Sequence, residues 1–319
     1  MNRTNLLLLA AVALALPVSL LAGRVWIDPF HPAFAAAPAI LFELRLPRGV
    51  LALVVGAGLG GAGAAMQGYL RNPLADPGLF GIAPGAALGA VLALLTGASA
   101  AYALPLAALI GAGTAMALLA LIAGRTAGVT VFTLAGMMIA SLAGALTSLA
   151  ISLAPNPFAL NEIVTWLMGA LTDRGWPDVW IAAPPTLAGL LVLAWAGRDL
   201  DALTLGDDAA RSLGVEPRRV QALMIVGVGL TVGAGVAVAG IIGFVGLMVP
   251  HLVRRFTDRR PSRLIVPSAL AGALLVLVAD MLCRIIPLAG GELRLGIGLS
   301  LLGAPFFLML LLRMRRGLA

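Results

Sequence analysis

The side chains that could do chemistry in this chain are few, and many of them lie in one segment. The 319 residues are 61% hydrophobic and include 21 basic residues, 14 acidic residues, two histidines and one cysteine. Nine of the charged residues fall in segment 197–219, GRDLDALTLGDDAARSLGVEPRR. Because long apolar stretches flank this segment on both sides, it is predicted to be a water-exposed loop that a membrane protein presents to a partner.

The types of charged residue exclude several kinds of chemistry. All 21 basic residues are arginines, and a P-loop needs a lysine to reach the β- and γ-phosphates, so the chain cannot be a P-loop ATPase by itself. Cys283 is alone and His31 and His251 lie far apart, which excludes an intrachain disulfide and argues against a metal site. A membrane-embedded enzyme would need a paired acid and base, and this sequence shows no such pair. We therefore expect no covalent chemistry and no cofactor bound by this chain.

Ionisable residues are missing from the middle of most apolar stretches. Proton- or ion-coupled transporters place Asp, Glu or His there, so this distribution disfavours a secondary transporter. Asp280 is the nearest candidate, and Arg284 lies four residues later on the same helical face. We predict that Asp280 and Arg284 form a local ion pair near a membrane surface. A transporter without coupling charges inside the membrane must draw its energy from elsewhere.

The charged segment has the pattern of a helix-turn-helix. Asp207 or Asp208 suits the N-cap of a short helix that runs through Leu213 and stops at Gly214. Pro217 suits the first turn of a second short helix leading into the next apolar stretch. A plain solvated connector is the alternative interpretation.

Two further motifs place polar residues at the ends of apolar stretches. The turn RNPLADPG at 71–78 contains two prolines, and Asn72 can hydrogen-bond locally, so the turn is predicted to be rigid. In LRLPR at 44–48, Arg45 and Arg48 are three residues apart, and a helical start puts both on one face. They could be interfacial anchors, or a site for an anion or an acidic partner.

About ten membrane-spanning helices must position these motifs. A mean hydropathy of +1.05 with 11% charged residues excludes an ordinary soluble domain. Apolar stretches of about 20 residues can each cross a hydrocarbon core of about 30 Å as a helix, so the fold class is an all-α polytopic membrane protein. A short extra helix over 161–169 and a break near Gly240 are also predicted. The predicted spans are about 5–26, 48–70, 79–95, 103–123, 131–153, 178–196, 220–238, 241–256, 264–286 and 295–312.

The arginines are distributed unequally between the two sides of these spans. Fifteen fall on the side of both termini and six on the other, so the positive-inside rule places both termini and segment 197–219 in the cytoplasm. The six on the outer side are Arg24, Arg45, Arg48, Arg174, Arg284 and Arg294.

The chain resembles the FecCD-type permeases of ABC importers for iron-siderophores, haem and cobalamin, which share the BtuC-like fold. The matching residues run in order over about 44–310, nearly the whole chain, and several of the matching runs are long and non-degenerate. They are 44–48, 71–78, Ala209, Arg211, Leu213, Gly214, 240–247, Val249, Pro250, His251, Arg254, Glu292, Gly296 and 303–306.

This resemblance implies ten helices per subunit in a single transmembrane permease domain, residues 1–319. It implies a homodimer around a central pathway lined by the fifth and tenth spans. Two ATP-binding cassette subunits would lie on the cytoplasmic side and hold ATP and magnesium. A periplasmic substrate-binding protein would dock on the opposite side. The location would be the bacterial inner membrane, with a lipid bilayer and no nucleic acid among the partners.

The resemblance also implies roles for particular residues. Arg45, Arg48 and Arg284 match the outward arginines that receive acidic residues of the binding protein, with Arg294 competing for the place of Arg284. One cytoplasmic gate is matched by Asn72 and Leu74, and a second by Val129 and Thr130. Segment 197–219 matches the element that couples to the ATPase. Its residues with that role are Asp207, Asp208, Arg211, Leu213, Gly214, Arg218 and Arg219.

The predicted function is the permease subunit of a binding-protein-dependent importer for a bulky iron chelate, powered by separate ATPase subunits. Haem or cobalamin import is the alternative within this class. A secondary transporter with inverted repeats is the alternative from another class. The sequence GAGL at 56–59 recurs as GVGL at 227–230. This recurrence could reflect an inverted repeat, or it could be chance in a glycine-rich chain. The sequence leaves the identity of the cargo open.

Overall fold

The computed structural model describes residues 3–23, 26–28, 37–97, 102–124, 128–286, 288 and 291–316. Within these residues the regular structure is helical. The first two helices are α1 (Arg3–Leu21) and α2 (Ala37–Tyr69), and α2 contains the π-helical segment Ile40–Arg45. The others are α3 (Ile82–Leu95), α4 (Ala103–Ala123), α5 (Val129–Ser152), α6 (Pro157–Leu167), α7 (Trp176–Leu203), α8 (Asp207–Ser212), α9 (Pro217–Ala239), α10 (Val245–Val253), α11 (Pro261–Ile285) and α12 (Leu295–Arg316). Three residues considered above lie outside the described residues: His31, and two of the arginines counted on the two sides of the membrane, Arg24 and Arg125.

Each of the ten predicted spans contains a helix, and the all-α fold class is confirmed. In the described part of the chain, eight helices are long and apolar enough to cross a membrane: α1, α2, α4, α5, α7, α9, α11 and α12. The helices in the third and eighth predicted spans, α3 and α10, have 14 and 9 residues. At 1.5 Å per residue α10 is about 14 Å long, so it reaches about half-way through a bilayer.

The break predicted near Gly240 separates α9 from α10. Gly240 has a φ of 71°, and a Cβ atom there would lie 2.3 Å from the carbonyl oxygen of Trp166. Both the backbone conformation and the close approach therefore require glycine. Phe244, with a φ of 67°, is the residue immediately before α10.

Small residues allow the long helices to approach closely. A Cβ atom at Gly56 of α2 would lie 2.3 Å from the carbonyl oxygen of Gly272 in α11, and one at Gly60 would lie 2.2 Å from that of Ser268. Such contacts replace the hydrophobic driving force that lipid does not supply. They bury most of α2 in the centre of the bundle.

Two groups of four helices, α2–α5 and α9–α12, share an arrangement of break, short helix and aromatic contact. Phe80 lies just before α3 and occupies the space where Gly136 of α5 lacks a Cβ atom; Phe244 lies just before α10 and meets Gly303 of α12 in the same way. The end of α2 and the start of α9 line one cleft, so these two helices run antiparallel. This geometry supports an inverted repeat rather than chance.

The extra helix is present as α6, which begins four residues before the predicted start at Asn161. Asn156 is its N-cap residue, and the Asn156 side chain accepts a hydrogen bond of 2.9 Å from the amide of Ala159. The cap explains the earlier start, since it satisfies an amide that has no partner within the helix.

Candidate functional site

The charged segment forms the short helix α8, whose ends are set by glycines. Gly206, with a φ of 106°, is the N-cap residue, and its lack of a side chain leaves the cap without a side-chain bond. The prediction that Asp207 or Asp208 caps this helix was therefore wrong. Both lie in the first turn, where a carboxylate is stabilised by the helix dipole. Leu213 is the C-cap residue and Gly214 ends the helix with a φ of 82°, as predicted.

Pro217 occupies the first turn of α9, where its fixed φ is suited to a helix start. The prediction of a separate second short helix was wrong, because the helix that begins at Pro217 continues to Ala239. The turn that joins α8 to this membrane helix is closed by a hydrogen bond of 2.9 Å from the Val215 amide to the Ala210 carbonyl oxygen. α8 and α9 are therefore joined by a short hydrogen-bonded turn.

One face of α8 is anchored and the other is presented to solvent. Ala210 is fully buried, whereas the Leu213 side chain is 64% exposed. Arg211 and Asp208 form an ion pair of 3.1 Å between exposed side chains, and such pairs contribute little to stability. A single exposed leucine is common on protein surfaces and does not by itself mark a contact surface.

An ion pair joins α8 to the turn at 71–78. Arg71 Nη2 donates to Asp207 Oδ1, and the Arg71 backbone adopts a φ of 53°, which is uncommon for a residue with a side chain. Asn72 closes the turn by accepting a hydrogen bond of 2.9 Å from the Leu74 amide. The local hydrogen bond predicted for Asn72 is therefore present, and the turn is attached to the charged segment.

The Arg71–Asp207 pair borders a cleft of about 780 Å³. The cleft brings together two sets of residues that the sequence keeps apart, namely Val129 at the start of α5 and the residues around α8. Its walls include Arg71, Val129, Asp207, Arg211, Gly214 and Arg218. Asn72, Leu74 and Thr130, the other residues assigned to gates, are not among its lining residues.

Arg219 differs in position from Arg218. The Arg219 guanidinium carbon lies 4.7 Å from the ring centroid of Trp195 in α7, a cation–π geometry. Arg219 therefore packs on the side of the bundle, whereas Arg218 faces the cleft. The sequence did not predict this contact, because Trp195 and Arg219 belong to different helices.

At the opposite end of α2, Arg48 is held by two carboxylates. Its Nη2 donates to Asp280 Oδ1 at 2.9 Å, and its Nη1 donates to Glu292 Oε2 at 2.8 Å. Asp280 is fully buried and also pairs with Arg284 Nε at 3.2 Å. The predicted Asp280–Arg284 pair is confirmed, but the Arg48 partner was not foreseen. We call Arg48, Asp280, Arg284 and Glu292 the outer charge cluster, because the orientation predicted from the arginines puts them on the outer side.

The other two arginines assigned to docking also make internal contacts. Arg45 Nη1 donates to the carbonyl oxygens of Leu20 and Leu21 at 2.8 and 2.9 Å, which are left without helical donors at the end of α1. Arg284 is only 4% exposed, and its Nη2 donates to Ser19 Oγ at 2.6 Å.

A second cleft, of about 350 Å³, is lined by Arg45, Arg48, Arg284 and Glu292. The three predicted docking arginines therefore converge on one place. In this conformation Arg284 is nevertheless covered, and the protein's own carboxylates occupy Arg48. Among the described residues, no three His, Cys, Asp or Glu side chains come together as a metal site would require.

Comparison with known proteins assigns the chain to a family. The model of the FecCD transport family matches residues 6–313. The chain belongs to the FecCD transport family. Its members are permease subunits of ABC transporters, which act as transport channels while partner subunits hydrolyse ATP.

Individual relatives agree with this assignment. The vitamin B12 import system permease protein BtuC of Salmonella typhimurium is 37% identical over 312 residues, covering 96% of this chain and 93% of the relative. An uncharacterized ABC transporter permease protein of Bacillus subtilis, YvrB, is 39% identical over 285 residues, covering 87% and 80%. The solved structure of a metal-chelate type ABC transporter in an inward-facing conformation superposes with a TM-score of 0.89 at 31% identity, covering 97% and 98%.

These similarities confirm the BtuC-like permease fold and the importer class predicted from the sequence. The chain is a multi-span membrane permease of an ABC importer. Membership of this family implies ATPase subunits and a substrate-binding protein as partners.

Proposed function

We propose that this FecCD-family permease moves a bulky iron chelate of the siderophore type across the bacterial inner membrane as a homodimer. The observation that carries the mechanism is the Arg71–Asp207 ion pair beside the inner cleft. It joins α8, the element presented to solvent, to the turn that precedes α3. Closure of the ATPase subunits would displace α8, and the ion pair would transmit this displacement to the turn.

The inner gate would consist of the two segments that flank the cleft. Asn72 and Leu74 lie in the turn held by Arg71, and Val129 and Thr130 begin α5. Since the α8 surface and Val129 share one cleft, a movement of α8 changes the space next to both segments. Asp208, Arg211, Leu213 and Gly214 would contact the ATPase, where ATP and magnesium are bound.

The pathway would run between α5 and α12 of two subunits. In α5, Leu134, Met138 and Leu142 are all more than half exposed. In α12, Leu301 and Met309 are exposed as well. A wall of such flexible apolar side chains suits a large cargo and carries no charge to select it. The binding protein would therefore choose the cargo.

On the outer side, Arg45 and Arg48 would receive acidic residues of the cargo-loaded binding protein. This role requires a carboxylate of the binding protein to compete with Glu292 for Arg48, since Glu292 is the more exposed of the two carboxylates that hold it. Because Arg284 is buried, its role would be to pair with Asp280 rather than to contact the binding protein. Both termini would lie in the cytoplasm, because fifteen arginines against six favour that side.

The test is reconstitution of the permease with its ATPase subunits in proteoliposomes, with purified binding protein added outside. We expect ATP-dependent uptake of a radiolabelled ferric siderophore and stimulation of ATPase activity by the loaded binding protein. If haem or cobalamin is taken up and the ferric siderophore is not, the proposed cargo is wrong but the proposed mechanism stands. Uptake driven by a proton gradient without ATP would refute the mechanism.

A further inference from the structure

Residues 254–263, RRFTDRRPSR, form the most basic short stretch of the chain that the proposed transport mechanism leaves without a role. This basic segment contains five arginines and one aspartate, a formal charge of +4 within ten residues. It connects the half-length helix α10 to α11 through a 3₁₀ turn, Arg254–Phe256.

The basic segment is fixed at the same end of the bundle as α8. Arg254 Nη2 donates to Gln67 Oε1 at 3.1 Å near the end of α2. The Ser262 amide donates to Asp201 Oδ1 at 2.9 Å near the end of α7. Thr4 Oγ1 at the start of α1 donates to the carbonyl oxygen of Phe256 at 3.1 Å. Three membrane helices therefore hold the segment where they leave the bilayer.

Its other arginines point outward. Arg255, Arg259, Arg260 and Arg263 are exposed. In the described part of the chain, their ion pairing is limited to a 4.0 Å contact between Arg260 and Asp258, both more than half exposed. This contact is too long and too solvated to neutralise the charge of the segment.

An aromatic side chain accompanies these arginines at the membrane boundary. The Phe256 side chain is 62% exposed, and the Arg255 guanidinium carbon lies 5.0 Å from its ring centroid. Phe256 follows α10 and is bonded to the first turn of α1. Arginines beside an exposed Phe are typical of segments that lie at the boundary between lipid headgroups and acyl chains.

We propose that the basic segment binds the phosphate headgroups of anionic phospholipids on the α8 side of the membrane. Guanidinium groups donate paired hydrogen bonds to phosphate oxygens, and clusters of four or more arginines next to membrane helices attract anionic lipids. The bound lipid would hold the ends of α1, α2 and α7 together through the segment. This role is independent of the cargo.

The test measures the stability of the isolated, delipidated permease in neutral detergent as lipid is added. Phosphatidylglycerol should raise Tm more than phosphatidylcholine does, and this excess should shrink as salt increases. In R255Q/R259Q/R260Q/R263Q the excess should be largely lost, since each neutralised arginine weakens phosphatidylglycerol binding by about fivefold. The double variant R259Q/R260Q, which alters only exposed residues outside helices, should lose a smaller part.

A matched control removes the same number of charges at the same end. R198Q/R211Q/R218Q/R219Q neutralises four exposed arginines of the charged segment, and it should keep the phosphatidylglycerol excess. Equal loss in both quadruple variants would show an effect of net charge and overturn the proposal, as would no loss in either variant of the basic segment. If those variants keep the lipid effect but no longer retain the ATPase subunits in a pull-down, the segment binds a protein and the proposal fails.

Discussion

Asp280 is a fully buried carboxylate shared by two guanidinium groups, those of Arg48 and Arg284. Removing a charge from a buried network leaves its partners uncompensated, which costs about 3–5 kcal/mol. We therefore expect Asp280→Asn to lower the stability of the permease by about this amount, measured as a large fall in Tm in detergent. Glu292→Gln is the control, because Glu292 is 24% exposed and pairs with one of these arginines. A fall of equal size in both variants would contradict the central role of Asp280.

Asp76 gives a second residue-scale prediction, this one on pH. Burial raises the pKa of the Asp76 carboxyl, opposed by hydrogen bonds from the Gly78 and Leu247 amides. Because folding raises the pKa, the folded state favours the protonated form of Asp76. The stability that protonated Asp76 contributes is complete below the unfolded pKa of about 3.9, and it is lost as pH rises through the folded pKa. Asp76→Asn should remove this loss, because the Asn side chain is neutral at every pH and its oxygen can still accept from the Gly78 amide.

The measurement for Asp76 is Tm of both proteins from acidic to neutral pH. The variant should be the more stable at neutral pH, and the two curves should converge at acid pH. A variant that is less stable at every pH would show that the ionised carboxylate is needed.

The contacts of single residues were the hardest to predict from the sequence. The Asp280–Arg284 pair was predictable because four residues along a helix bring two side chains together. Arg48 is 232 positions away from Asp280, and no local pattern marks such a partner. The cap at Gly206 was missed for a different reason. Aspartate is the favoured N-cap residue, but a φ of 106° at this position requires glycine.

At the scale of elements, the helices were predictable and their lengths were not. Long apolar stretches indicated the positions of nearly all the membrane helices, because a bilayer accepts few other structures. Residues 221–253 contain no Asp, Glu, Lys or Arg. No charge therefore marks where one span ends and the next begins, and the stretch is predicted to form two full spans. Hydrophobicity alone cannot show that α10 has only nine residues. The backbone of 240–244, with positive φ at both Gly240 and Phe244, decides that length.

The link between α8 and the turn at 71–78 is an element-scale prediction. Reversing one charge, in Arg71→Asp or Asp207→Arg, should place like charges together and separate the turn from α8. ATP hydrolysis should continue while transport per ATP falls severalfold. The exchange of both charges, Arg71→Asp with Asp207→Arg, should restore much of the lost transport, because it re-forms the pair with its direction reversed.

Transport and ATPase rates in the same proteoliposomes measure this coupling ratio. Arg211→Asp, whose partner Asp208 is fully solvated, is the control and should not be rescued by Asp208→Arg to the same extent. Failure of the double exchange to improve on either single variant would mean that the ion pair does not carry the coupling.

At the scale of the whole molecule, α2 connects the two functional ends. Arg48 lies in its first half, and Arg71 follows its last residue, next to α8. The helix between Arg48 and Tyr69 is about 31 Å long at 1.5 Å per residue. Because backbone contacts at Gly56 and Gly60 press α2 against α11, it cannot bend freely. A rigid rod with the outer charge cluster at one end and the α8 link at the other is suited to joining binding-protein docking with ATPase movement.

Assembly with the ATPase subunits is the last prediction, and it depends on Leu213. This side chain is 64% exposed at the end of α8, so the isolated permease gains little stability from it. In a complex it would enter an apolar pocket, where burial of a leucine contributes about 1.5–3 kcal/mol. Leu213→Asp should therefore leave Tm of the isolated permease within about 1–2 °C of the wild type while the ATPase subunits are lost during co-purification. Leu205→Asp is a matched control, because Leu205 is 67% exposed two residues before α8. If Leu205→Asp alone abolishes co-purification, the contact lies before α8; if neither variant does, α8 is not the ATPase contact.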